Sequence, residues 1–545
     1  MISLTRFYSK NKKIIFYSLI FIGIFLRFYN INWGAPFYFH PDERQNIAYP
    51  ILDSKSLLQR DQKNFDINPF PLIVIKNTYT LIAAINGRAA NPIENIILIS
   101  RFYSATLSIL ISVLLFIIGK RIWNYTAGIL ALTLSIFSTG LIQYAHFGTI
   151  EMWEGISLLL VFFLCVEILK TKRVIHFLFL GIVFAIGVAT KFLVLTVTPI
   201  ILIPFIPFLI AVIKTRSKKN VIKLFRSFYL FAIGFIIVIL IFFPQLFLRI
   251  TQIEDSLRFE SSVATGKMPV FFTQGFTNTT PFVFQIEKVL PFLLNPFILL
   301  LSVYGLLFLS ARVIRKRDAY TLLLLLSFSI PFVSTSILYV KWTRYMIPLI
   351  PLLYIVVSVF ISEVATSIKH SGAKKVLLII PILLSIVFSV SFFITVYLSP
   401  HTTVSASSWF QNKYRQVNHA ISEPYDIGIT PFNPLVKDLH LIDFYSIDTD
   451  DRMNEMLESK VSTSEFIILP SQRVLKSRIN NPTVFPRGFT FYNNLLNNKG
   501  DFKLVYKTTC NLVCQIAYIG DPIFDNEETV TVFDRPTVFI FKKTQ

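Results

Sequence analysis

The chain has 545 residues, of which 54% are hydrophobic and 15% are charged. This composition excludes an ordinary soluble enzyme, because apolar runs of roughly 18 to 24 residues, each long enough to span a bilayer as a helix, recur as far as Ser399. The net charge of +21 would favour a nucleic-acid partner in a soluble protein, but here the basic residues gather in short loops between apolar runs. We therefore predict a polytopic α-helical membrane protein with membrane lipids, and no nucleic acid, as partners.

The first apolar run covers residues 14–32 and is too long for a cleaved signal peptide, so we predict it to be the first transmembrane helix. Four basic residues precede it: Arg6, Lys10, Lys12 and Lys13. By the positive-inside rule the N-terminus then lies in the cytoplasm, and the segment WGAPFYFHPDERQ, residues 33–45, lies outside.

This outer segment places His40, Asp42, Glu43 and Arg44 together beside the membrane. Charged groups at a bilayer are costly unless they meet water, a partner or a ligand, so the cluster is a candidate functional site. The alternative is that HPDE is only a polar cap in which Pro41 turns the chain and the acids begin a surface helix.

Further apolar runs bring the total to about eleven predicted transmembrane helices. They are Asn95–Gly119, Tyr125–Tyr144, Met152–Leu169, Val174–Thr190, Phe192–Ile213, Leu224–Leu248, Val289–Ala311, Ala319–Val340, Tyr345–Ile361 and Val376–Leu398. Strongly basic loops alternate with nearly uncharged ones, which predicts a multi-pass protein of the cell membrane with its C-terminus outside. In the first outer loop, residues 34–94, the short apolar stretch Pro71–Ala84 predicts a helix lying in the interface.

Residues 1–398 thus form the predicted membrane domain, and residues 399–545 form a small extracytoplasmic α/β domain. The pattern there predicts a helix near Ser405–Tyr414 and then four strands, at Leu504–Tyr506, Gln515–Tyr518, Thr529–Phe533 and Thr537–Lys542. Cys510 and Cys514 can pair if this domain is outside, whereas Cys165 is expected in a helix core.

The predicted topology places nine polar residues at the outer face: His40, Asp42, Glu43, Arg101, His146, Glu151, Lys191, Lys341 and Arg344. None of them was needed to set the topology, so their convergence on one side predicts a single outer cavity. A carboxylate facing cations suits sugar transfer from a phosphorylated donor. Asp42 is the expected general base, and the inversion of the anomeric carbon would follow from direct displacement.

The basic residues of this set suit the donor phosphate, whose negative charge grows as its bond to the sugar breaks. Arg101, Lys191 and Arg344 are the candidates. His146 with Glu151 is either a polar helix cap or part of a divalent cation site shared with His40 and the Asp42–Glu43 pair. Zinc, manganese or magnesium is possible as a cofactor, but the spacing matches no recognised metal motif, and the metal question stays open.

Ordered landmarks along the chain resemble those of the GT-C glycosyltransferases. They are HPDE, SRFYSATLSIL from Ser100, AHFGTIEMWEG from Ala145, GVATKF from Gly187 and RYMIPLIPLLYI from Arg344. More narrowly, they resemble the protein O-mannosyltransferase and lipid A aminoarabinose transferase group, which includes many bacterial family 39 relatives. The resemblance covers roughly residues 14–398 and implies a GT-C fold.

The resemblance implies roles for individual residues. Asp42 and Glu43 match the catalytic acidic pair, and Arg101 matches an arginine that contacts donor phosphate. Glu151 matches a second acidic position where relatives commonly have Asp. Lys191 matches a lysine after the fifth helix, and Arg344 and Tyr345 match an Arg-Tyr pair before the tenth helix. The implied donor is a polyprenyl-phosphate-linked sugar reached from the outer leaflet. The acceptor, whether protein, lipid or glycan, is not implied, because the Trp-Gly-rich continuation common in bacterial relatives is replaced here by PFLLNP.

Two other classes compete with a transferase. A transporter or flippase for lipid-linked sugars also uses intramembrane arginine and carboxylates, but it favours coupling groups near the midplane and paired halves, which this sequence lacks. A membrane-anchored receptor that uses its C-terminal region leaves the ordered outer acids and bases unexplained.

Overall fold

The computed structural model describes residues 12–53, 68–86, 91–424, 430–522 and 526–544. Arg6 and Lys10 of the predicted N-terminal basic group, and parts of the predicted first outer loop, lie outside these residues. The described chain consists of a bundle of long apolar helices as far as Val396, followed by a five-stranded sheet with flanking helices. It is therefore a polytopic helical membrane protein with a C-terminal α/β domain, as predicted from the sequence.

Thirteen helices of the described bundle are labelled here in chain order. They are α1 Lys12–Phe28, α2 Pro69–Asn86, α3 Pro92–Ile122, α4 Tyr125–Ile136, α5 Thr139–His146, α6 Glu151–Thr171, α7 Ile175–Thr190, α8 Lys218–Phe242, α9 Ile250–Ala264, α10 Pro296–Lys316, α11 Ala319–Ser336, α12 Ile350–Ser367 and α13 Ser371–Val396. A segmented span of short helical pieces, Phe192–Thr215, lies between α7 and α8. Shorter pieces include the π-helices Glu43–Ala48 and Gln285–Val289 and the 3-10 helices Phe271–Phe276, Thr343–Tyr345 and Ile347–Leu349.

Among the described residues, eight helices are long and apolar enough to cross a membrane, and the bent pair α4–α5 makes a ninth candidate. The other two predicted spans correspond to α1, with 17 residues, and α7, with 16. Each of the eleven predicted positions is thus helical. The span predicted at Val289–Ala311 is interrupted, because Asn295 has a positive φ of 68° and its side chain caps the first turn of α10.

Glycines allow two pairs of helices to pack with their backbones in contact. A Cβ on Gly119 of α3 would lie 2.8 Å from the Cα of Gly128 on α4, and a Cβ on Gly181 of α7 would lie 2.1 Å from the carbonyl oxygen of Phe231 on α8. Small residues at such crossings are the usual means of close helix association in a bilayer. The second contact packs α8 against α7, the helix that Lys191 caps at its C-terminal end.

The C-terminal sheet has five strands: β1 Val417–Ser422, β2 Val436–Leu441, β3 Phe466–Leu469, β4 Phe502–Lys507 and β5 Phe539–Lys543. Their order is β2-β1-β3-β5-β4, with β1 parallel to β2 and β3, and β5 antiparallel to β3 and β4. The helices of this domain are α14 Thr402–Lys413, α15 Asp451–Thr463, α16 Arg473–Asn480, α17 Pro486–Leu496 and α18 Leu512–Tyr518.

Two of the four predicted C-terminal strands are confirmed, as β4 and β5, and two are wrong. Gln515–Tyr518 belongs to α18, which Asn511 caps, and Thr529–Phe533 belongs to a π-helix, Thr529–Asp534. Every residue of that π-helix is buried, so its alternation of threonine and apolar residues does not mark a strand with one solvated face. Cys510 and Cys514 form a disulfide, and Cys165 is buried and free.

The π-helix Thr529–Asp534 and its neighbours attach the C-terminal domain to the bundle. Asp534 accepts a hydrogen bond from the Gln143 side chain of α5, and Glu527 accepts one from the Thr343 hydroxyl. The His401 Nε2 lies 3.0 Å from the carbonyl oxygen of Phe533. The C-terminal domain therefore covers the end of the bundle that carries Asp42, which we call the site end.

A buried carboxylate in the C-terminal domain should make the stability of that domain depend on pH. Glu423 follows β1, is 2% exposed and accepts a hydrogen bond from the Tyr492 hydroxyl. Burial raises the pKa of Glu423 from 4.5 to about 8. Because the folded state holds this proton more tightly than the unfolded state, stability should be full below about pH 4.5, fall as the pH rises to 8, and stay constant above it.

Hydrogen exchange of strands β1 and β3, in the full-length protein in detergent, measures this effect. At each pH the native protein is compared with Glu423→Gln, so that the chemical effect of pH on exchange cancels. We expect the native protein to exchange progressively faster than the variant between pH 5.5 and 8. The exposed Glu455→Gln on α15 is the matched control and should follow the native protein. A constant ratio between native protein and Glu423→Gln across this range would contradict the prediction.

Candidate functional site

Two adjoining cavities lie at the site end of the bundle. The helix-side cavity has a volume of about 400 Å³ and is lined by residues of the bundle such as Lys191, Phe192 and Leu257. The sheet-side cavity, of about 440 Å³, is closed by aromatic residues of the bundle and by C-terminal residues such as Glu528 and Phe533. Five residues line both cavities: Asp42, Asn46, Glu151, Glu260 and Arg344.

Asp42 lies at this junction, in the segment that follows α1. It immediately precedes the π-helix Glu43–Ala48, but its side chain makes no capping hydrogen bond to that helix. Instead, Oδ1 accepts a hydrogen bond from Asn46 at 2.9 Å, and Oδ2 lies 3.0 Å from Nη1 of Arg344. The carboxylate is 28% exposed, so the cavity reaches it. The alternative that Asp42 merely caps a surface helix is not supported by this geometry.

Arg344 comes from the 3-10 helix Thr343–Tyr345, just before α12. Its guanidinium carbon lies 4.0 Å from the centre of the Trp342 ring, which holds the side chain over the junction. One Nη contacts Asp42, and the residue lines both cavities. A planar guanidinium offers several donors, so Arg344 can contact Asp42 and hold an anion in the cavity at the same time.

Lys191 and Tyr345 line the helix-side cavity, with the Lys191 ammonium 5.2 Å from the centre of the Tyr345 ring. Lys191 Nζ also pairs with Glu154 at 3.1 Å. Burial acts to lower the pKa of Lys191, but the carboxylates of Glu154 and Glu151 outweigh it, so the pKa is raised. The lysine is therefore a permanent positive charge on the wall of this cavity.

Glu151, the first residue of α6, lies between the two cavities and is 4% exposed. Its Oε2 is buried and has no hydrogen-bond partner among the described residues. A buried carboxylate oxygen without a partner is costly, so this atom is available to a ligand in the cavity.

His40 lines the sheet-side cavity between two aromatic rings, at 4.5 Å from Phe147 and 4.4 Å from Phe533. Its Nδ1 is buried without a hydrogen-bond partner in the described part of the chain. Burial lowers the pKa of His40 against the opposing effect of nearby carboxylates, Asp42 foremost. The imidazole is therefore neutral at physiological pH.

The structure does not place Glu43 and Arg101 at the cavities, in contrast to the sequence-based expectation. Both side chains are fully buried, and they form a bidentate ion pair in which Nε–Oε1 and Nη2–Oε2 are each 2.7 Å. Glu43 also accepts a hydrogen bond from the Gly148 N–H, and Arg101 donates to the carbonyls of Ile31 and Trp33. These contacts use the groups that were expected to act on substrate, so the geometry favours a positioning role for the pair.

His146 is also away from the cavities. Its Nδ1 lies 2.9 Å from the Ile142 carbonyl and its Nε2 lies 3.0 Å from the Tyr29 carbonyl, while the ring stacks on Tyr397. With both nitrogens facing backbone oxygens, this residue does not fit the cation site considered from the sequence. No three histidine or carboxylate ligand atoms of the described residues lining the cavities come within 4.8 Å of one another. In this conformation the described cavity-lining residues thus present fewer than three such ligand atoms to a single ion.

Sequence reasoning missed several residues of the site. Glu154 follows Glu151 by three positions on α6, a helical spacing that could have indicated the Lys191 partner. Glu260, on the amphipathic helix α9 within a long loop, has no comparable pattern. Arg473 and Glu528 come from the C-terminal domain, where only the tertiary structure brings them to the sheet-side cavity.

No protein-family model matches this chain, and no curated protein matches it. Similar solved structures include the archaeal oligosaccharyltransferase AglB from Archaeoglobus fulgidus in complex with an inhibitory peptide and a dolichol-phosphate. The alignment has 12% identity and a TM-score of 0.44, and it covers 97% of this chain and 84% of that chain. The apo form of the Archaeoglobus fulgidus oligosaccharyltransferase aligns with 10% identity and a TM-score of 0.48 over 97% of this chain and 88% of that one.

A third similar structure is ArnT from Cupriavidus metallidurans bound to undecaprenyl phosphate, with 14% identity, a TM-score of 0.46, and coverage of 76% of this chain and 73% of that chain. AglB and ArnT are both GT-C superfamily glycosyltransferases, the superfamily that the sequence landmarks resemble. With TM-scores below 0.5, this similarity is too low to assign a reaction to the present chain.

Proposed function

We propose that this protein is a membrane glycosyltransferase that moves a sugar from a polyprenyl-phosphate-linked donor to an acceptor at the outer face of the membrane. The observation that carries the proposal is the position of Asp42, which faces Arg344 at the junction of two cavities, with Lys191 on the wall of one of them. A general base flanked by fixed positive charges suits a reaction in which a sugar is transferred and a phosphate is the leaving group.

Each group has a distinct task in this reaction. Asp42 Oδ2, which lies 3.0 Å from Nη1 of Arg344, accepts the proton of the acceptor hydroxyl or amine as it attacks the anomeric carbon. The bond from that carbon to the phosphate oxygen breaks, and the leaving phosphate remains with the lipid, held by Arg344 and Lys191. A single displacement of this kind inverts the anomeric carbon. No step requires a bound metal.

In this proposal the donor binds in the helix-side cavity and the acceptor binds in the sheet-side cavity. The helix-side cavity shares Phe192, Leu257 and Ser261 with a neighbouring cavity of about 690 Å³, whose lining includes the apolar residues Leu246 and Ile250. The same lining also includes Glu254, Arg258 and Lys267, so this cavity offers both apolar and charged contacts to a lipid phosphate that approaches Lys191. The sheet-side cavity, which the C-terminal domain helps to close, then receives the acceptor.

The distribution of basic residues supports the proposed orientation. Four spans begin at the site end and have basic residues in their last turn, at the opposite end of the bundle. These residues are Lys120 and Arg121 of α3, Lys170 of α6, Arg315 and Lys316 of α10, and Lys214 of the segmented span Phe192–Thr215. The positive-inside rule makes that opposite end cytoplasmic. The site then faces outward, where nucleotide sugars are not present, and a lipid-linked sugar is the donor that remains.

Purified protein in liposomes, supplied with a panel of radiolabelled polyprenyl-phosphate sugars, tests the proposal. We expect one donor to be consumed and its label to appear in a protein, lipid or glycan fraction, which identifies the acceptor class. Loss of one charge-assisted contact to phosphate costs about 1.5–3 kcal/mol, so Arg344→Gln should reduce kcat/KM for the donor about 10- to 150-fold.

The exposed Arg226→Gln on α8 is the matched control and should leave kcat/KM unchanged. Transport of labelled lipid across the bilayer without consumption of any donor would contradict the proposal and favour a flippase.

A further inference from the structure

Three potential metal ligands converge on one face of the C-terminal sheet, outside the two cavities. His419 lies on β1, and Asp438 and His440 lie on the neighbouring parallel strand β2. The register pairs His419 with Asp438, and residues two apart on a strand share a face, so all three side chains project from the same side. β2 is the edge strand of the sheet.

The ligand atoms of these residues are already close enough to share one ion. His419 Nδ1 lies 3.3 Å and His440 Nε2 lies 3.1 Å from the same Asp438 oxygen, Oδ2, and all three ligand atoms are within 4.8 Å of one another. The two imidazole rings are nearly parallel, with an angle of 9° between their planes. Bonds of about 2.0–2.2 Å to a tetrahedral zinc ion would hold such ligand atoms at comparable separations.

We propose that His419, Asp438 and His440 bind a zinc ion, with water as the fourth ligand. Two neutral imidazoles and a carboxylate form a ligand set suited to zinc and to other late first-row metals, and poorly suited to magnesium or calcium, which prefer all-oxygen coordination. The Asp438 and His419 side chains are 48% and 49% exposed, so an ion can reach them from solvent. His440, with 18% exposed, is the most enclosed of the three ligands.

The proposed ion would cross-link the edge strand β2 to its neighbour β1. None of its three ligands lines either cavity, so the site is distinct from the proposed transferase centre. Metal that binds only the folded state stabilises it, and here the stabilised unit is the C-terminal domain that closes the sheet-side cavity. The proposal does not depend on the reaction at Asp42.

Titration of the metal-free, full-length protein in detergent with zinc chloride tests the site by calorimetry. We expect one equivalent to bind with a micromolar or lower Kd, and stoichiometric binding to be lost in a His419→Ala, His440→Ala double variant. His370→Ala, at the exposed N-cap of α13, is the matched control and should retain the native affinity. Zinc should also raise the Tm of the C-terminal domain in the native protein and in the control, and leave the double variant unchanged.

Two further measurements separate metal ligation from a pair of surface hydrogen bonds. Cobalt substituted for zinc should give the visible absorption of a tetrahedral site with nitrogen and oxygen ligands, and Asp438→Asn should weaken zinc binding while the domain stays folded. Native affinity in the double variant, competition by magnesium at equal concentration, or the absence of an equivalent of zinc in the native protein would each overturn the assignment.

Discussion

Replacing Asp42 by asparagine is expected to slow sugar transfer about 100- to 10,000-fold, the usual contribution of general acid–base catalysis. Asparagine has the same shape and can still contact Asn46, so the cavity should keep its form, but the amide cannot accept the acceptor's proton. Donor binding should change little, because the helix-side cavity retains Lys191 and Arg344. The measurement is kcat and donor KM with radiolabelled donor, together with direct binding of the donor to the variant.

Asp255→Asn on α9 is the control for this experiment, since Asp255 is exposed and lines neither cavity. It should leave kcat unchanged. If Asp42→Asn transfers sugar at the native rate, Asp42 is not the base, and Glu151, whose Oε2 has no hydrogen-bond partner among the described residues, becomes the residue to replace next.

Replacing Arg101 by methionine is expected to destabilise the folded protein by about 3–5 kcal/mol, because removal of one partner leaves the other as an uncompensated buried charge. Glu43 would lose both of its 2.7 Å contacts to the guanidinium, and the carbonyls of Ile31 and Trp33 would lose their donor. Thermal unfolding in detergent measures the change.

Arg121→Met is the matched control, because Arg121 pairs with Glu167 at 2.9 Å while its own side chain is 47% exposed. Exposed pairs contribute little to stability, so this variant should unfold close to the native temperature. The alternative role of Arg101, direct contact with donor phosphate, predicts a different result. In that case Arg101→Lys would keep the native Tm and raise the donor KM.

Much of the fold follows from the sequence, because the length and polarity of a membrane span are local properties. All eleven predicted positions are helical, and α2 lies where an apolar stretch too short to span was predicted. The C-terminal domain was harder to predict, because a segment whose pattern indicates a strand can form a helix when all of its side chains are buried. The run TVTVFD alternates like a strand, yet it forms a π-helix whose side chains are all enclosed by the bundle and the sheet.

The position of the site residues along the bundle could also be predicted from the sequence, whereas their contacts could not. The alternation of basic and uncharged loops predicts which end of the bundle carries each residue, and in the structure Asp42, Glu151, Lys191 and Arg344 line the same cavity. Which way a side chain points within that end depends on tertiary packing. Arg101 was expected to face substrate, but it turns toward Glu43 and two backbone carbonyls instead.

The closure of the sheet-side cavity by residues near 530 also constrains the order in which the protein becomes functional. Its wall joins His40, near the beginning of the chain, to Phe533, and the hydrogen bond between Gln143 and Asp534 spans 391 positions. A ribosome-bound chain that has inserted all of its spans therefore still lacks one side of this chamber. If the proposed function holds, such a chain would have the wall that carries Lys191 but an incomplete sheet-side cavity, so activity would require the synthesis of the residues near 530.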